Sequence, residues 1–275
     1  MKPLTSVLSN LKLRASWGNI GNQSITPYAY IPGMDAEQAY WTVSGIKVTT
    51  LKPAALVSNS FTWEKVTTVD VGFDLGLLNN RLNLVFDWYR RDTKGMLAPG
   101  AELPAVLGAS APLQNTADLR SKGWEITVDW NDQIGKVKYN LGFNLYDAKT
   151  KITKYNNETG LFGKDKNDKD TYRVGMELGE IWGYVTDGYI MDDFEAAKMN
   201  YVQKYISSKW YPGDIRYKDL NGDGMIDQGN RTLANPGDQK VIGNSTPRYR
   251  FNLQGGIGWR GFDIRAIFEG VGKRD

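Results

Sequence analysis

The stretch Asp219-Leu-Asn221-Gly-Asp223-Gly224-Met225-Ile-Asp227 sets hard oxygen donors at the spacing of a calcium loop. Asp219, Asn221, Asp223 and Asp227 supply side-chain oxygens at positions 1, 3, 5 and 9, Gly224 the sharp turn at 6, and Met225 a backbone carbonyl at 7. Calcium takes roughly six to eight oxygens, so this spacing could curl a partial shell around one ion. Position 12 is Asn230 instead of a bidentate Glu, and no flanking helices are evident. The same residue types also close tight turns unaided, because Asp and Asn side chains bond nearby backbone N–H groups and Gly accepts positive φ. Two readings stay open here: an ion that stiffens a loop, or a turn that needs none.

Other chemistry is thinner. Gly256-Ile-Gly258-Trp-Arg-Gly261 matches G-x-G-x-x-G, but the residues after it alternate like a strand, so no helix N-terminus would face a phosphate. The loop carboxylates Glu177, Glu180, Asp187, Asp192 and Asp193 include no pair with a fixed separation, which a glycosidase would need. Tyr28, Tyr30, Tyr40, Trp41, Trp182, Tyr184, Tyr189, Trp210 and Tyr211 lie in irregular segments, where they could stack on sugars or peptides or pack the loops together. The chain has no Cys and no His, which removes disulfides, thiolate nucleophiles, the Ser-His-Asp triad and imidazole metal sites. No catalytic centre is expected.

Composition narrows the class further. The 275 residues carry a net charge of +3 with both signs interspersed, which argues against a nucleic-acid partner. A mean hydropathy of −0.47 gives no hint of helical membrane spans. Barrel strands escape that test, because they alternate and average to a hydrophilic score. Residues 1–10 lack the apolar centre of a signal peptide.

Positioning falls to strands. Trp124, Ile126, Val128 and Trp130 alternate with Glu125, Thr127 and Asp129. After the turn 131–136, Val137, Tyr139, Leu141, Phe143 and Leu145 alternate with Lys138, Asn140, Gly142 and Asn144. One face of this hairpin is therefore oily and the other wet. The same pattern recurs at 11–17, 69–75, 82–89, 249–259 and 262–266, giving seven strands in all. Short turns are expected near 77–81, 131–136 and 259–262, and long links at 18–61, 97–117 and 150–246. Short turns at one end and long loops at the other favour an outer-membrane barrel wall over a soluble sandwich. Within 150–246, Asp192 should cap a helix running to about Tyr205, and 178–190 should form an extra strand pair.

Several blocks together resemble the C-terminal barrel region of the SusC/RagA family of TonB-dependent outer-membrane transporters. They are Leu11-Lys-Leu-Arg-Ala-Ser-Trp-Gly-Asn-Ile-Gly-Asn22, Trp63-Glu-Lys-Val-Thr-Thr-Val-Asp-Val-Gly72, Leu77-Leu-Asn-Asn-Arg-Leu82, Lys122-Gly-Trp-Glu125 and Gly183-Tyr-Val-Thr-Asp-Gly188. The most telling is Pro212-Gly-Asp-Ile-Arg-Tyr-Lys-Asp-Leu-Asn-Gly-Asp-Gly-Met-Ile-Asp227, followed by Ile242-Gly-Asn-Ser-Thr-Pro-Arg248 and Gly261-Phe-Asp263.

The resemblance implies an all-β fold, with residues 1–275 an antiparallel transmembrane segment of a plugged barrel of about 22 strands. It also implies a fragment, with the plug and last strands absent and 150–246 an extracellular loop region. The function implied is glycan or peptide import through the cell outer membrane. Its partners would be a SusD-like surface lipoprotein, membrane lipid and, through the absent N-terminal part, the TonB complex. No cofactor is implied beyond the calcium that the Asp219 loop could take. The alternative is a soluble, secreted β-sandwich that binds carbohydrate and holds a calcium ion.

Overall fold

The computed structural model describes residues 7–23, 28, 30–58, 62–100, 103–108, 111–156, 160, 162 and 171–275. Residues 1–6, and Pro27 and Phe61 of the first long link, lie outside the described residues. In chain order the strands are β1 (Leu8–Asn22), β2 (Ala36–Val43), β3 (Ile46–Leu51), β4 (Glu64–Leu77), β5 (Leu82–Pro99), β6 (Leu113–Ile134) and β7 (Val137–Lys154). Then come β8 (Glu180–Tyr184), β9 (Thr186–Tyr189), helix α1 (Asp193–Val202), β10 (Ile215–Tyr217), β11 (Gln239–Asn244), β12 (Arg248–Trp259) and β13 (Phe262–Lys273).

Seven strands form one antiparallel sheet in the order β1-β4-β5-β6-β7-β12-β13. They are the seven that alternation predicts, each longer than its apolar core suggests. The turns at one end are tight for identifiable reasons. Leu78, Asn79 and Asn80 take positive φ in the four-residue turn 78–81, as do Gly135 and the pair Arg260-Gly261 in the two two-residue turns, the backbone that tight hairpins use. The three long connections all leave from the opposite end of the sheet.

Register fixes which face each side chain takes. Phe73, Phe86, Ile126, Leu145 and Phe251 lie in one row across five strands, and Leu75, Leu84, Val128, Phe143 and Leu253 in the next. From Val137 to Leu145 this oily face runs about 26 Å along the strand, close to the roughly 25 Å apolar band of a membrane barrel. None of these residues is among the buried core, and Leu13 and Ile264 are 78 % and 75 % exposed. No second sheet covers the face among the described residues. The architecture is an open barrel segment, and the described residues do not form two stacked sheets. No described helix is long and apolar enough to cross a membrane, which says nothing of strands.

The opposite face is polar and bridged. Arg14 Nε donates to Asp74 Oδ1 at 2.8 Å, and its Nη2 donates to Asp87 Oδ2 at 2.8 Å, tying β1 to β4 and β5. Gly123 leaves room for the Tyr89 ring, which lies 2.5 Å from where a Cβ would stand.

Three expectations need correction. β8 and β9 do not pair with each other; β8 pairs with β11 and β9 with β10. The link 97–117 is shorter than expected, since β5 runs on to Pro99 and β6 begins at Leu113. Segment 18–61 holds a hairpin, β2–β3, turned at Ser44-Gly45 with both residues at positive φ.

Candidate functional site

The long third connection folds into a small module of its own. Helix α1 starts where the Asp192 side chain accepts from Glu195 N at 2.8 Å, while Glu195 reaches back to accept from Met191 N at 2.8 Å. This is the reciprocal capping pattern with the return bond moved one residue, to the N–H before the N-cap. The helix ends at Val202, three residues short of the predicted Tyr205. Ile190, Ala196 and Met199 are buried together, with Val202 and Trp210 packed against them.

Two fully buried polar side chains bind the module's parts. Gln203 Nε2 donates to Ile215 O at 3.3 Å, and its Oε1 accepts from Tyr217 N at 2.7 Å, so the helix end is tied to β10. Asp238 accepts from Leu220 N at 2.7 Å and from Asp227 N at 2.9 Å, one carboxylate oxygen for each. It clamps both ends of the 219–227 loop. Sequence reasoning missed Asp238, because it lies beyond a Pro-Gly turn and outside any local motif.

Inside that loop the predicted calcium donors serve the backbone. Asp219 accepts from Gly222 N at 2.6 Å and Gly224 N at 2.8 Å. Gly224 N–H first, then Gly222 N–H, holds the Asp219 carboxyl below the usual carboxylate range. Asn221 Nδ2 donates to Asp223 Oδ2 at 2.9 Å, and Asp223 Oδ1 accepts from Met225 N at 2.8 Å. Asp227 Oδ1 accepts from Gly229 N at 2.7 Å. Gly222 and Gly224 sit at φ of 79° and 81°. The donor set fits calcium in kind, being hard oxygens. Among the described residues, however, no three acidic side chains converge in ion-holding geometry. The loop closes on its own amides.

The other loop carboxylates are held apart by separate cations. Glu177 faces Lys149 at 3.6 Å and Lys151 at 3.3 Å, Glu180 faces Arg173 at 2.5 Å, and Asp187 faces Arg216 at 3.3 Å. Arg216 also donates to Glu195 at 2.5 Å. Met191 N–H first, and then Arg216, holds the Glu195 carboxyl low.

Loop aromatics divide into two groups. Trp182 stacks on Phe162 at 3.8 Å between centroids, while Tyr184 and Trp210 both meet Tyr217, at 5.4 and 6.2 Å. These pack the module. Tyr28, Tyr30, Tyr40, Trp41, Tyr189 and Tyr211 are exposed, and Tyr40 is 97 % so. This second group is free to meet a ligand, on the same end of the sheet as the long connections, and Tyr201 and Tyr205 of the module are exposed as well.

Comparison with known proteins agrees with this geometry. The family model for the TonB dependent receptor-like β-barrel matches residues 5–274. TonB-dependent receptor P3 of Formosa agariphila is 26 % identical over 272 residues, covering 96 % of this chain and 26 % of the relative. TonB-dependent receptor SusC of Bacteroides thetaiotaomicron is 30 % identical over 240 residues, covering 83 % and 22 %. The structure of the RagAB peptide transporter superposes with a TM-score of 0.67 at 19 % identity, covering 96 % of this chain and 27 % of that one. The RagAB importer in its open-open state gives a TM-score of 0.68 at 18 % identity, covering 97 % and 26 %. The chain thus spans about a quarter of the length of the relatives it matches.

Proposed function

Because the chain belongs to the TonB-dependent receptor-like β-barrel family, we propose that its sheet is a stretch of the wall of an outer-membrane nutrient importer. The long connections meet cargo outside the cell, and the three short turns face the periplasm. Members of this family are transporters, and this chain does no covalent chemistry in the proposal. Its contribution is shape: apolar faces toward acyl chains, charged faces toward the lumen, loops toward cargo.

One observation carries the reading. Among the described residues the oily face from β1 to β13 has no second sheet over it, while the opposite face is wet and ion-paired. In water such a face would cost about 25 cal/mol for each Å² left exposed, and in lipid that cost vanishes. A soluble carbohydrate-binding sandwich would have buried it.

The cargo class is glycan or peptide. Support comes from the SusC relative and from a structural neighbour that is a peptide transporter. Transport would draw on the proton-motive force through TonB, and a SusD-like surface lipoprotein would close over the exposed aromatics. Deleting the gene should abolish growth on one glycan or peptide source, and an affinity-tagged copy should bring down a surface lipoprotein from outer-membrane extracts. Recovery of the protein in the soluble fraction would reject the wall assignment. Loss of siderophore uptake with growth on glycans and peptides intact would reject the cargo class.

A further inference from the structure

The outward face of the wall changes character at one level. Register sets Trp88 beside Trp124 and Trp124 beside Asp147. Two residues further toward the long connections, the same outward row reads Arg90, Lys122 and Lys149, and two beyond that, Asp92, Arg120 and Lys151. Oil therefore gives way to tryptophan, and tryptophan to a basic collar. That order suits the boundary of a bilayer leaflet, where Trp sits among headgroups.

A cleft of about 660 Å³ opens in this collar, lined by Trp88, Trp124, Lys122, Lys149, Lys151 and Arg248 among others. Arg248 arrives by a local irregularity. Tyr249 takes φ of 54°, β7 pairs with β12 only from Arg250 onward, and the Arg248 guanidinium swings to the outward Asp147, bonding both its oxygens. Asp92 is bracketed by Arg90 at 2.9 Å and Arg120 at 2.5 Å, and Glu177 by Lys149 and Lys151. Five cations thus pair with three carboxylates, and a sixth, Lys122, joins none of the ion pairs among the described residues.

We propose that this cleft is a binding site for the phosphorylated headgroup of an outer-leaflet glycolipid. The ligand must be amphipathic and anionic at one depth. Its acyl chains lie over Ile126 and Phe86, its sugar rests against Trp88 and Trp124, and its phosphate is drawn to Lys122, Lys149 and Lys151. A compact ammonium binds phosphate as a point charge, so three lysines on two adjacent strands tolerate a headgroup that arrives in varied orientations. The proposal rests on the wall facing lipid.

The test uses the protein extracted from outer membranes in mild detergent and examined by native mass spectrometry. The probes are phosphorylated lipid A, the same lipid after enzymatic dephosphorylation, and inorganic phosphate. Phosphorylated lipid A should bind the unaltered protein, and Lys122→Ala with Lys149→Ala should weaken it about thirtyfold, as expected for two cations lost near an anionic surface. Lys136→Ala, in a turn at the far end, serves as the control and should change nothing. Heat-modifiable gel mobility checks that each variant is folded. Equal binding of both lipids, or equal binding by the double variant, overturns the site. Inorganic phosphate bound with the same lysine dependence would make it a free-phosphate site and overturn the lipid assignment. Failure of the wall reading looks different: the unaltered protein would leave the membrane fraction and retain no acyl lipid of either kind.

Discussion

In the wall, Leu13 and Ile264 are 78 % and 75 % exposed, whereas in the loop module Ile190 and Ile226 are each 1 % exposed. The two regions solve the same problem by different means. The wall holds its order through ladder hydrogen bonds between neighbouring strands and, in the proposed function, takes its apolar surroundings from lipid. The module has a core of its own, small but closed, and two buried polar side chains that stitch helix, strand and loop. Of the two regions, the loop module has a conventional interior. Substitutions in the two regions should fail differently, the wall as an assembly and the module as a local opening.

The largest effect is expected in the wall. A Cβ at Gly72 would stand 2.0 Å from Asp87 Oδ1 and 2.5 Å from the Phe86 carbonyl oxygen. Gly72→Ala must displace backbone, and we expect about 4 kcal/mol of destabilisation, read as loss of the heat-modifiable band from outer membranes. A normal band would mean that the two strands are not held as closely as described. Next comes Val128→Arg, which puts a cation in the middle of the oily band at about 3 kcal/mol. The matching change on the exposed face of the module, Phe194→Arg, should cost nothing measurable. If the two cost the same, the distinction between the regions collapses.

In the module, Asp238→Ala strands the buried amides of Leu220 and Asp227 and should cost about 2 kcal/mol. Limited proteolysis would show new cleavage within 219–230 while the band for the wall stays put.

The smallest effects concern Asp219. Its depressed carboxyl stabilises the loop above the unfolded value near 4, and that contribution is lost as pH falls through the folded value. Protease sensitivity of the loop should thus rise only below about pH 4 and stay flat from about 5 to 8, and Asp219→Asn should flatten the acid limb. Millimolar calcium should leave the loop's resistance unchanged, because its closing bonds run to backbone amides. A calcium-dependent gain in resistance would favour the ion-binding reading of Asp219, Asn221, Asp223, Met225 and Asp227 over the turn that needs no ion.

How much was legible follows the same division. All seven wall strands could be read, because a sheet with one oily and one wet face must alternate and the hairpins need residues such as Asn79 and Asn80 at their turns. Their outer ends could not be read. Beyond Trp88 and Trp124 both faces are wet, so Leu97–Pro99 and Leu113–Ala117 lose the period although the ladder continues. In the module the helix was legible from its cap. The partners of β8 and β9 were not, since Trp182 meets Val241 and Tyr189 meets Ile215 across long separations that no local pattern encodes. Asp238 was invisible for the same reason.

All three tight turns lie at one end of the sheet and all three long excursions at the other. An excursion can grow or shrink without moving any ladder residue to the wrong side of the wall, because parity is reset by the pairing that follows. Lengthening costs little, as closure entropy rises only about 0.6 kcal/mol per doubling. The architecture thus separates the ladder, where a one-residue change would turn every following side chain to the wrong face, from the excursions, whose length is free to vary.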